Sequence, residues 1–178
     1  MAVSRHRYVL HGWGVGELWV DEGVVLAHDV WWAAGAATEP PPPRGGASAP
    51  TGTIAEKPSP ERDAFVSDLL RRVHRQLRGA PTSFADVPLD LSWCTPLQHA
   101  LAGALQAVPW GEVVSYGELA ALAGRPRAPR AAGSFCAENR FALFLPCHRV
   151  VAADGIGGYG SAGVGLKRRL LALEGVDL

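Results

Sequence analysis

Cys147 and His148 are the residues whose types and spacing point most directly to chemistry, and they lie in the stretch Leu145-Pro146-Cys147-His148-Arg149-Val150. A cysteine in an apolar stretch is usually a small buried hydrophobe. Here a histidine and an arginine follow at once and can hold a nearby thiolate, which is the nucleophilic form of cysteine. A histidine base needs a partner that orients it, and Glu174 is the candidate. The pattern therefore predicts nucleophilic chemistry at Cys147.

A second group of candidate residues is basic, because five arginines and a single acid, Glu138, lie between positions 125 and 149. Such a run can form an ordinary solvated face. Two of its members, Arg127 and Arg130, fall at the start of the second of two short predicted helices, which a tight turn at Gly124 joins. That arrangement is typical of a helix-turn-helix, although helical hairpins also occur in proteins that bind no nucleic acid. In this context the arginines favour contact with DNA phosphates.

The helices that must position these residues begin at recognisable signals. Two capping boxes, Thr95-Pro96-Leu97-Gln98 and Ser115-Tyr116-Gly117-Glu118, predict the first helix of the second half and the first helix of the pair. Pro109 is the predicted end of the former. The second helix of the pair is predicted over about 128–136, and a last helix over 166–173.

The first half is predicted to hold a small sheet. Apolar runs at 17–20 and 24–27, separated by a turn that contains Gly23, predict a hairpin. Residues 33–59 then lose periodicity and are rich in proline, so we expect a mobile loop or linker there.

A helix is predicted next, with Ser59 as its N-cap, Pro60 at its first position and its end near Gly79. The chain is thus predicted to be an α+β protein: a domain over 1–92 with a small sheet and a helix, then a mostly helical domain over 93–178 with a winged-helix-like helix-turn-helix. The predicted buried stripe of the first helix is Phe65, Leu69, Val73 and Leu77. That of the next helix is Leu97, Leu101, Leu105 and Val108.

The composition is that of a folded chain without extreme charge. The 178 residues are 48% hydrophobic, with 17 basic and 17 acidic side chains. A highly charged disordered protein is therefore excluded, while charge can still segregate within a neutral chain. Three cysteines argue against a disulfide framework and favour a reducing compartment. No apolar run approaches the ~20 residues that span a bilayer and no signal peptide is recognisable, so we expect a cytoplasmic protein without membrane contact.

The region around Cys147 resembles the O6-alkylguanine-DNA alkyltransferases, also called methylated-DNA–protein-cysteine methyltransferases. The similarity is close over about 95–175 and holds only in outline before that. The motifs that carry it are Gly111-Glu112-Val113-Val114-Ser115-Tyr116-Gly117-Glu118-Leu119-Ala120, Arg130-Ala131-Ala132-Gly133, Glu138-Asn139, Pro146-Cys147-His148-Arg149-Val150-Val151 and Leu170-Leu171-Ala172-Leu173-Glu174-Gly175.

This resemblance implies DNA repair by a single direct transfer of an alkyl group, such as methyl, from guanine O6 to Cys147, so that each molecule acts once and needs no cofactor. His148 would draw off the thiol proton through a water molecule, and Glu174 would fix the imidazole. Tyr116 would donate to guanine N3 as the base departs, and Asn139 would hold the turn that shapes the reactive pocket.

The implied partner is double-stranded DNA that contains O6-alkylguanine, bound by a monomer. Chemistry on a base in a duplex requires the base to leave the stack, and in the family it leaves through the minor groove. Arg130 would fill the vacated space, while Arg127 or Arg125 would neutralise phosphate. Further residues expected at DNA are Ser115, Tyr116, Ala131 and Gly133. Those expected around the flipped base are Pro146, Val150, Tyr159, Gly160 and Ser161, with the carbonyls of Cys147 and Val150 reading its exocyclic amine.

Some residues depart from the family pattern or compete with it. Arg140 stands where relatives often have proline, and Cys136 adds a second thiol that we interpret as a buried helix residue. The first half has no cysteine before Cys94, so no structural zinc is predicted. The run 155–160 matches the dinucleotide pattern G-x-G-x-x-G, but no βαβ unit accompanies it. That run suits either a loop close to a base or a plain surface loop.

Two other functions compete with alkyl transfer. A sensor of the alkyltransferase-like kind recognises the altered base without transferring, and a helix-turn-helix regulator would use only the basic surface. Sensors of that kind lack the reactive cysteine, whereas this chain has Cys147 together with His148 and Glu174. A regulator leaves the stretch 146–150 unexplained, so alkyl transfer is the preferred interpretation.

Overall fold

The computed structural model describes residues 2–31, 53–54 and 60–178. The N-terminal sheet contains the antiparallel strands β1 (Ala2–Leu10), β2 (Gly14–Asp21) and β3 (Val24–Trp31). Glu22 and Gly23 join β2 to β3, both with positive φ, as a tight hairpin turn requires. The predicted hairpin is confirmed, with strands longer than the apolar runs that indicated them.

A fourth strand, β4 (Thr53–Ile54), pairs in parallel with the start of β1 and gives the sheet the order β3-β2-β1-β4. The prediction of an unstructured linker over 33–59 is therefore wrong for these two residues. Both are β-branched and fit a pleated edge, a signal too short to stand out among prolines and glycines. The remaining part of that predicted linker lies outside the described residues.

The helix after the linker, α1 (Pro60–Gln76), is confirmed, and Gly79 follows it with a φ of 84°. Its buried stripe differs by one residue from the predicted one, because Val66 rather than Phe65 is fully buried. The spacing from Val66 to the later members of the stripe follows the period of 3.6 residues. Those later members are Leu69, Val73 and Leu77, all buried.

In the second half, α2 (Pro96–Gln106) and α3 (Tyr116–Leu122) both begin with a complete capping box, as predicted. α2 ends three residues before Pro109, so that proline follows the helix end without causing it. α4 (Pro129–Ala137) packs against α3, which confirms the helix pair. The last helix, α5 (Gly163–Leu173), begins about a turn earlier than predicted, and no helix among the described residues is long and apolar enough to cross a membrane.

A two-stranded parallel ladder links Cys147 to the helix pair. β5 (Val114–Ser115) leads directly into α3, and β6 (Val150–Val151) follows the short 3₁₀ turn that contains Cys147. The start of α3 and the reactive turn are therefore held side by side. Buried side chains from both halves form one hydrophobic cluster, from Leu10 to Leu170, and a domain boundary at residue 92 stays a prediction.

Candidate functional site

Cys147 is almost fully buried, and its sulfur has a hydrogen-bond donor from the preceding loop. The Nδ2 of Asn139 lies 3.0 Å from Cys147 Sγ and 2.9 Å from the carbonyl oxygen of Leu145. The Oδ1 of the same side chain accepts from the backbone N–H of Phe141. Asn139 thus holds both ends of the segment from 139 to 147, and a donor to sulfur favours the thiolate over the thiol.

His148 follows Cys147 and is completely buried. Its Nε2 lies 2.7 Å from Oε1 of Glu174. Because a carboxylate only accepts, Nε2 carries the proton and Nδ1 is the unprotonated atom of a neutral ring. Burial lowers the pKa of His148, although Glu174 opposes that shift, so the ring is neutral near pH 7. Nδ1 is buried and has no hydrogen-bond partner among the residues described, which leaves it available to accept a proton.

Glu174 lies directly after α5 and is the centre of a buried group that we call the Glu174 cluster: His148, Arg149 and Glu174. Arg149 donates from Nε to Oε2 at 2.8 Å and from Nη2 to Oε1 at 3.0 Å, and the backbone N–H of Gly111 also donates to Oε2. Burial disfavours the carboxylate, but the hydrogen bonds from His148 and Arg149 outweigh it and lower the pKa of Glu174 to about 2. Glu174 therefore stays ionised and places a carboxylate beside the imidazole.

Arg149 does not have the role that its position suggested. We expected it to hold the thiolate and counted it in the basic run, but it is 7% exposed and its guanidinium binds Glu174 and the carbonyl oxygen of Val108. The 3₁₀ turn at 147–149 explains this difference, because successive side chains on such a turn point in different directions.

Tyr116 lies at the first position of α3, beside the reactive turn. Its ring lies against Gly133 of α4, and its hydroxyl faces Gly157 of the loop before α5. Burial raises the pKa of the phenol, and the nearby Cys136 and Cys147 raise it further, so Tyr116 stays protonated and can donate a hydrogen bond.

The exposed part of the basic run is confined to the turn between α3 and α4 and to the start of α4. Arg125, Arg127 and Arg130 are exposed there, whereas the Arg140 guanidinium packs over the ring of Trp93 at 4.5 Å. The N-cap of α4 makes no side-chain hydrogen bond, so backbone N–H groups at this helix start are open to an anion. Ala131 and Gly133 lie half-buried on the same helix. The hydroxyl of Ser115 accepts from the backbone N–H of Glu118 and so caps α3.

A cavity of about 20 Å³ adjoins Cys147, roughly enough for one water molecule or a methyl group. Tyr159 and Cys136 line it, as does Val30 from the N-terminal sheet. Of the other predicted pocket residues, Pro146 faces a separate groove, Gly160 is exposed, and the side chain of Ser161 lies outside what the structure describes.

Burial raises the pKa of the Cys136 thiol, which keeps it protonated and unreactive near neutral pH.

Sequence reasoning missed Lys167, a fully buried lysine on α5. Its Nζ donates to the carbonyl oxygens of Val150 at 2.6 Å and Gly158 at 3.1 Å. Burial lowers its pKa, and the nearby thiols of Cys147 and Cys136 oppose that shift. The signal was present, because Lys167 lies seven residues before Glu174 and shares its helix face with buried leucines. The carbonyl of Val150, expected to read the base, therefore already accepts a hydrogen bond from Lys167.

Comparison with known proteins agrees with this geometry. The profile of the DNA-binding domain of 6-O-methylguanine DNA methyltransferase matches residues 96–176. A methylated-DNA–protein-cysteine methyltransferase of Metallosphaera sedula is 40% identical over 121 residues, which cover 68% of this chain and 74% of that protein. The enzyme of the same name from Methanopyrus kandleri is 38% identical over 125 residues, covering 69% and 92%.

Among solved structures, Mycobacterium tuberculosis OGT in complex with DNA superposes with a TM-score of 0.74 and 30% identity. The match covers 98% of this chain and 93% of that one, so it extends over the N-terminal half, where the sequence resemblance was only in outline.

Proposed function

Because the chain belongs to the methylated-DNA–protein-cysteine methyltransferase family, we propose that it repairs DNA by moving an alkyl group from guanine O6 directly onto Cys147. The observation that carries the proposal is the hydrogen-bonded arrangement of His148 and Glu174. A neutral His148 has its Nε2–H fixed on an ionised Glu174 and its Nδ1 free to take a proton, next to a buried cysteine. A DNA-binding sensor or regulator transfers no group, so it needs no reactive cysteine and no acceptor for a thiol proton.

In the proposed reaction, His148 Nδ1 accepts the proton of Cys147 through one water molecule. The imidazolium that forms is stabilised by Glu174, whose charge is already in place and needs no rearrangement. Asn139 donates to the sulfur and keeps it aligned. The thiolate then attacks the alkyl carbon: the S–C bond forms as the C–O6 bond breaks, and the electron pair of the broken bond remains on guanine.

The departing guanine is proposed to be stabilised by Tyr116, whose protonated phenol can donate to N3. No step in this reaction breaks the S–C bond of the thioether product, so Cys147 stays alkylated and each protein molecule reacts once. The cavity beside Cys147 has room for a group of about the size of a methyl.

The DNA surface is proposed to be the exposed face of α3 and α4. Arg130, at the second position of α4, would enter the stack from the minor groove where the base has left, and Arg127 and Arg125 would neutralise phosphates. The protein is proposed to act as a monomer on double-stranded DNA in the cytoplasm. None of its three cysteines forms a disulfide in the structure, which fits a reducing compartment.

Mass spectrometry tests the proposal. After incubation with duplex DNA that contains O6-methylguanine, a peptide with Cys147 should gain the mass of one methyl group, in a 1:1 ratio to the DNA repaired. Modification at Cys94 or Cys136, or repair of more than one base per molecule, would contradict it. The Cys147→Ser variant should bind the same duplex without any mass change.

A further inference from the structure

His28, in β3, is a fully buried histidine that joins the N-terminal sheet to the loop before Cys147. We call residues 139–146 the reactive loop. The backbone N–H of His28 donates to the carbonyl oxygen of Arg140 at 2.7 Å, and the N–H of Ala142 donates to that of His28 at 3.0 Å. β3 therefore pairs with this loop on both sides of Phe141, although more than 100 residues separate them.

The side chain of His28 adds a second connection. Its Nδ1 hydrogen-bonds the carbonyl oxygen of Ala142 and its Nε2 hydrogen-bonds the hydroxyl of Tyr8. Burial lowers the pKa of His28 to about 4, so the ring is neutral near pH 7. A carbonyl can only accept, so Nδ1 carries the proton, Nε2 accepts, and the Tyr8 hydroxyl donates. The bonds thus run in one direction from β1 through β3 to the reactive loop, and we call this pair the Tyr8–His28 relay.

The sheet is shaped to admit the relay. Tyr8 pairs across the strands with Gly16, and a Cβ at Gly16 would lie closer than 3 Å to the Tyr8 ring. The tyrosine thus lies flat over the one residue type that leaves it room. On the other side, the His28 ring stacks on Phe144 of the reactive loop with ring centres 4.6 Å apart. Both rings are held, so the hydrogen bond between them is aligned.

The reactive loop connects the His28 ring to the sulfur of Cys147 through Asn139. Asn139, at its start, donates to Cys147 Sγ and to the Leu145 carbonyl near its end. Val30, two residues after His28, lines the cavity beside Cys147. A ring nitrogen without a partner is costly to bury, and the reactive loop supplies the partner of Nδ1, so the loop and the His28 ring fix each other's position.

We infer that the Tyr8–His28 relay is a positioning device of the reaction, which fixes the reactive loop from the N-terminal sheet so that Asn139 stays aligned on Cys147. Its effect on transfer rests on the proposed function, whereas its effect on the loop does not. The relay touches neither the substrate nor the sulfur, and acts only through the loop.

The test compares four variants by two measurements. His28→Phe keeps a ring and loses both hydrogen bonds, and Tyr8→Phe removes only the donor hydroxyl. His28→Asn keeps a nitrogen near the position of Nδ1, whereas His28→Gln places its amide near Nε2. The measurements are amide hydrogen exchange of residues 139–146 and the single-turnover rate of transfer from free O6-benzylguanine. His99→Gln, at an exposed histidine of α2, is the matched control and should change neither.

We expect His28→Phe and His28→Gln to speed exchange in the reactive loop and to slow transfer about tenfold, the effect of roughly one buried hydrogen bond. His28→Asn should stay within about threefold of wild type, and Tyr8→Phe should lie between them. Exchange in α3 and α4 should not change, nor should affinity for duplex DNA. If His28→Phe does not fold, the positioning role is still decided by the order of the exchange and transfer rates of His28→Asn, Tyr8→Phe and His28→Gln.

Equal effects of Asn and Gln, unchanged exchange in the loop, or faster exchange throughout the chain would each overturn the positioning role. A wild-type protein that transfers no alkyl group would overturn the proposed function instead. The exchange measurements would still decide whether the relay orders the loop.

Discussion

The Glu174 cluster and the basic surface at the start of α4 use the same type of side chain in opposite environments. Arg149 in the cluster is 7% exposed and bound by Glu174 and a carbonyl, whereas Arg127 and Arg130 on α4 are exposed. A buried charge is tied to its partner, because leaving it alone is costly. An exposed charge is free to meet a mobile anion such as phosphate. Arginines that lie close together in the sequence at 125–149 are therefore in opposite environments, which the sequence alone does not reveal.

The largest predicted effect tests the reactive side of this comparison. His148→Ala and Glu174→Gln should each lower transfer at neutral pH by about 10²–10⁴-fold, since both remove general-base assistance. The double variant should be little worse than either, because the two residues act as a unit. Single-turnover rates with free O6-benzylguanine from pH 5.5 to 9.5 measure this. Additive losses, or a profile in Glu174→Gln that does not move to higher pH, would mean that Cys147 is activated in another way.

The next prediction tests whether Arg149 is structural. Arg149→Met should lower the free energy of unfolding by about 3–5 kcal/mol, because it leaves the Glu174 charge buried without its main partner. Urea denaturation measures the change, with Arg127→Met as the exposed control, which should lie within about 0.5 kcal/mol of wild type. A small loss at Arg149 together with weaker DNA binding would place it on the DNA surface after all.

The dependence of the free energy of unfolding on acid pH should reveal the ionisation of Glu174 in the same cluster. The carboxyl of Glu174 has a pKa of about 2 in the folded state, below its unfolded value, so its contribution is complete above about pH 4.3 and is lost as the pH falls toward 2. A shift of this size contributes about 3 kcal/mol, to order of magnitude. Urea midpoints between pH 2 and 6 should therefore fall more steeply in wild type than in Glu174→Gln. Parallel curves would contradict the assignment of the low pKa to Glu174.

Arg130 tests the exposed side. If it fills the space of the flipped base, Arg130→Ala should slow transfer from duplex DNA about 10–100-fold, which corresponds to a few kcal/mol of unstacking. Transfer from free O6-benzylguanine, which needs no flipping, should be nearly unchanged. The ratio of the two rates is the measurement, and equal losses on both substrates would show a different role.

The smallest expected effect belongs to Arg127. Arg127→Ala should weaken duplex binding by a few-fold at moderate salt and reduce the slope of log affinity against log salt by about one. The effect should be the same for different DNA sequences. Fluorescence anisotropy at several salt concentrations measures it, and an unchanged slope would remove Arg127 from the phosphate contacts.

Local signals explain what the sequence could predict. The capping boxes at Thr95 and Ser115 act within four residues, and both helix starts were identified correctly. The start of α4 at Pro129 lies within one residue of the predicted start. The hairpin turn at Gly23 likewise needs only its own backbone geometry.

What the sequence could not predict depends on residues far apart in the chain. Arg149 finds its partner 25 residues away, Lys167 finds a carbonyl 17 residues away, and His28 meets a loop 114 residues away. Each is a polar residue whose type alone suggests an exposed side chain. The packing of α5 against the turn at 147–149, and of β3 against the reactive loop, brings these residues to their partners. Local patterns carry no information about that packing.

The fit of Tyr8 over Gly16 restricts the order in which these two positions can change in evolution. A larger residue at Gly16 displaces the Tyr8 ring unless position 8 becomes small first, and either change removes the donor to His28. The two positions should therefore show strong epistasis: Gly16→Ala is harmful with Tyr8 and tolerated once Tyr8 has become alanine. A lineage that has made both changes cannot recover the tyrosine without first recovering the glycine.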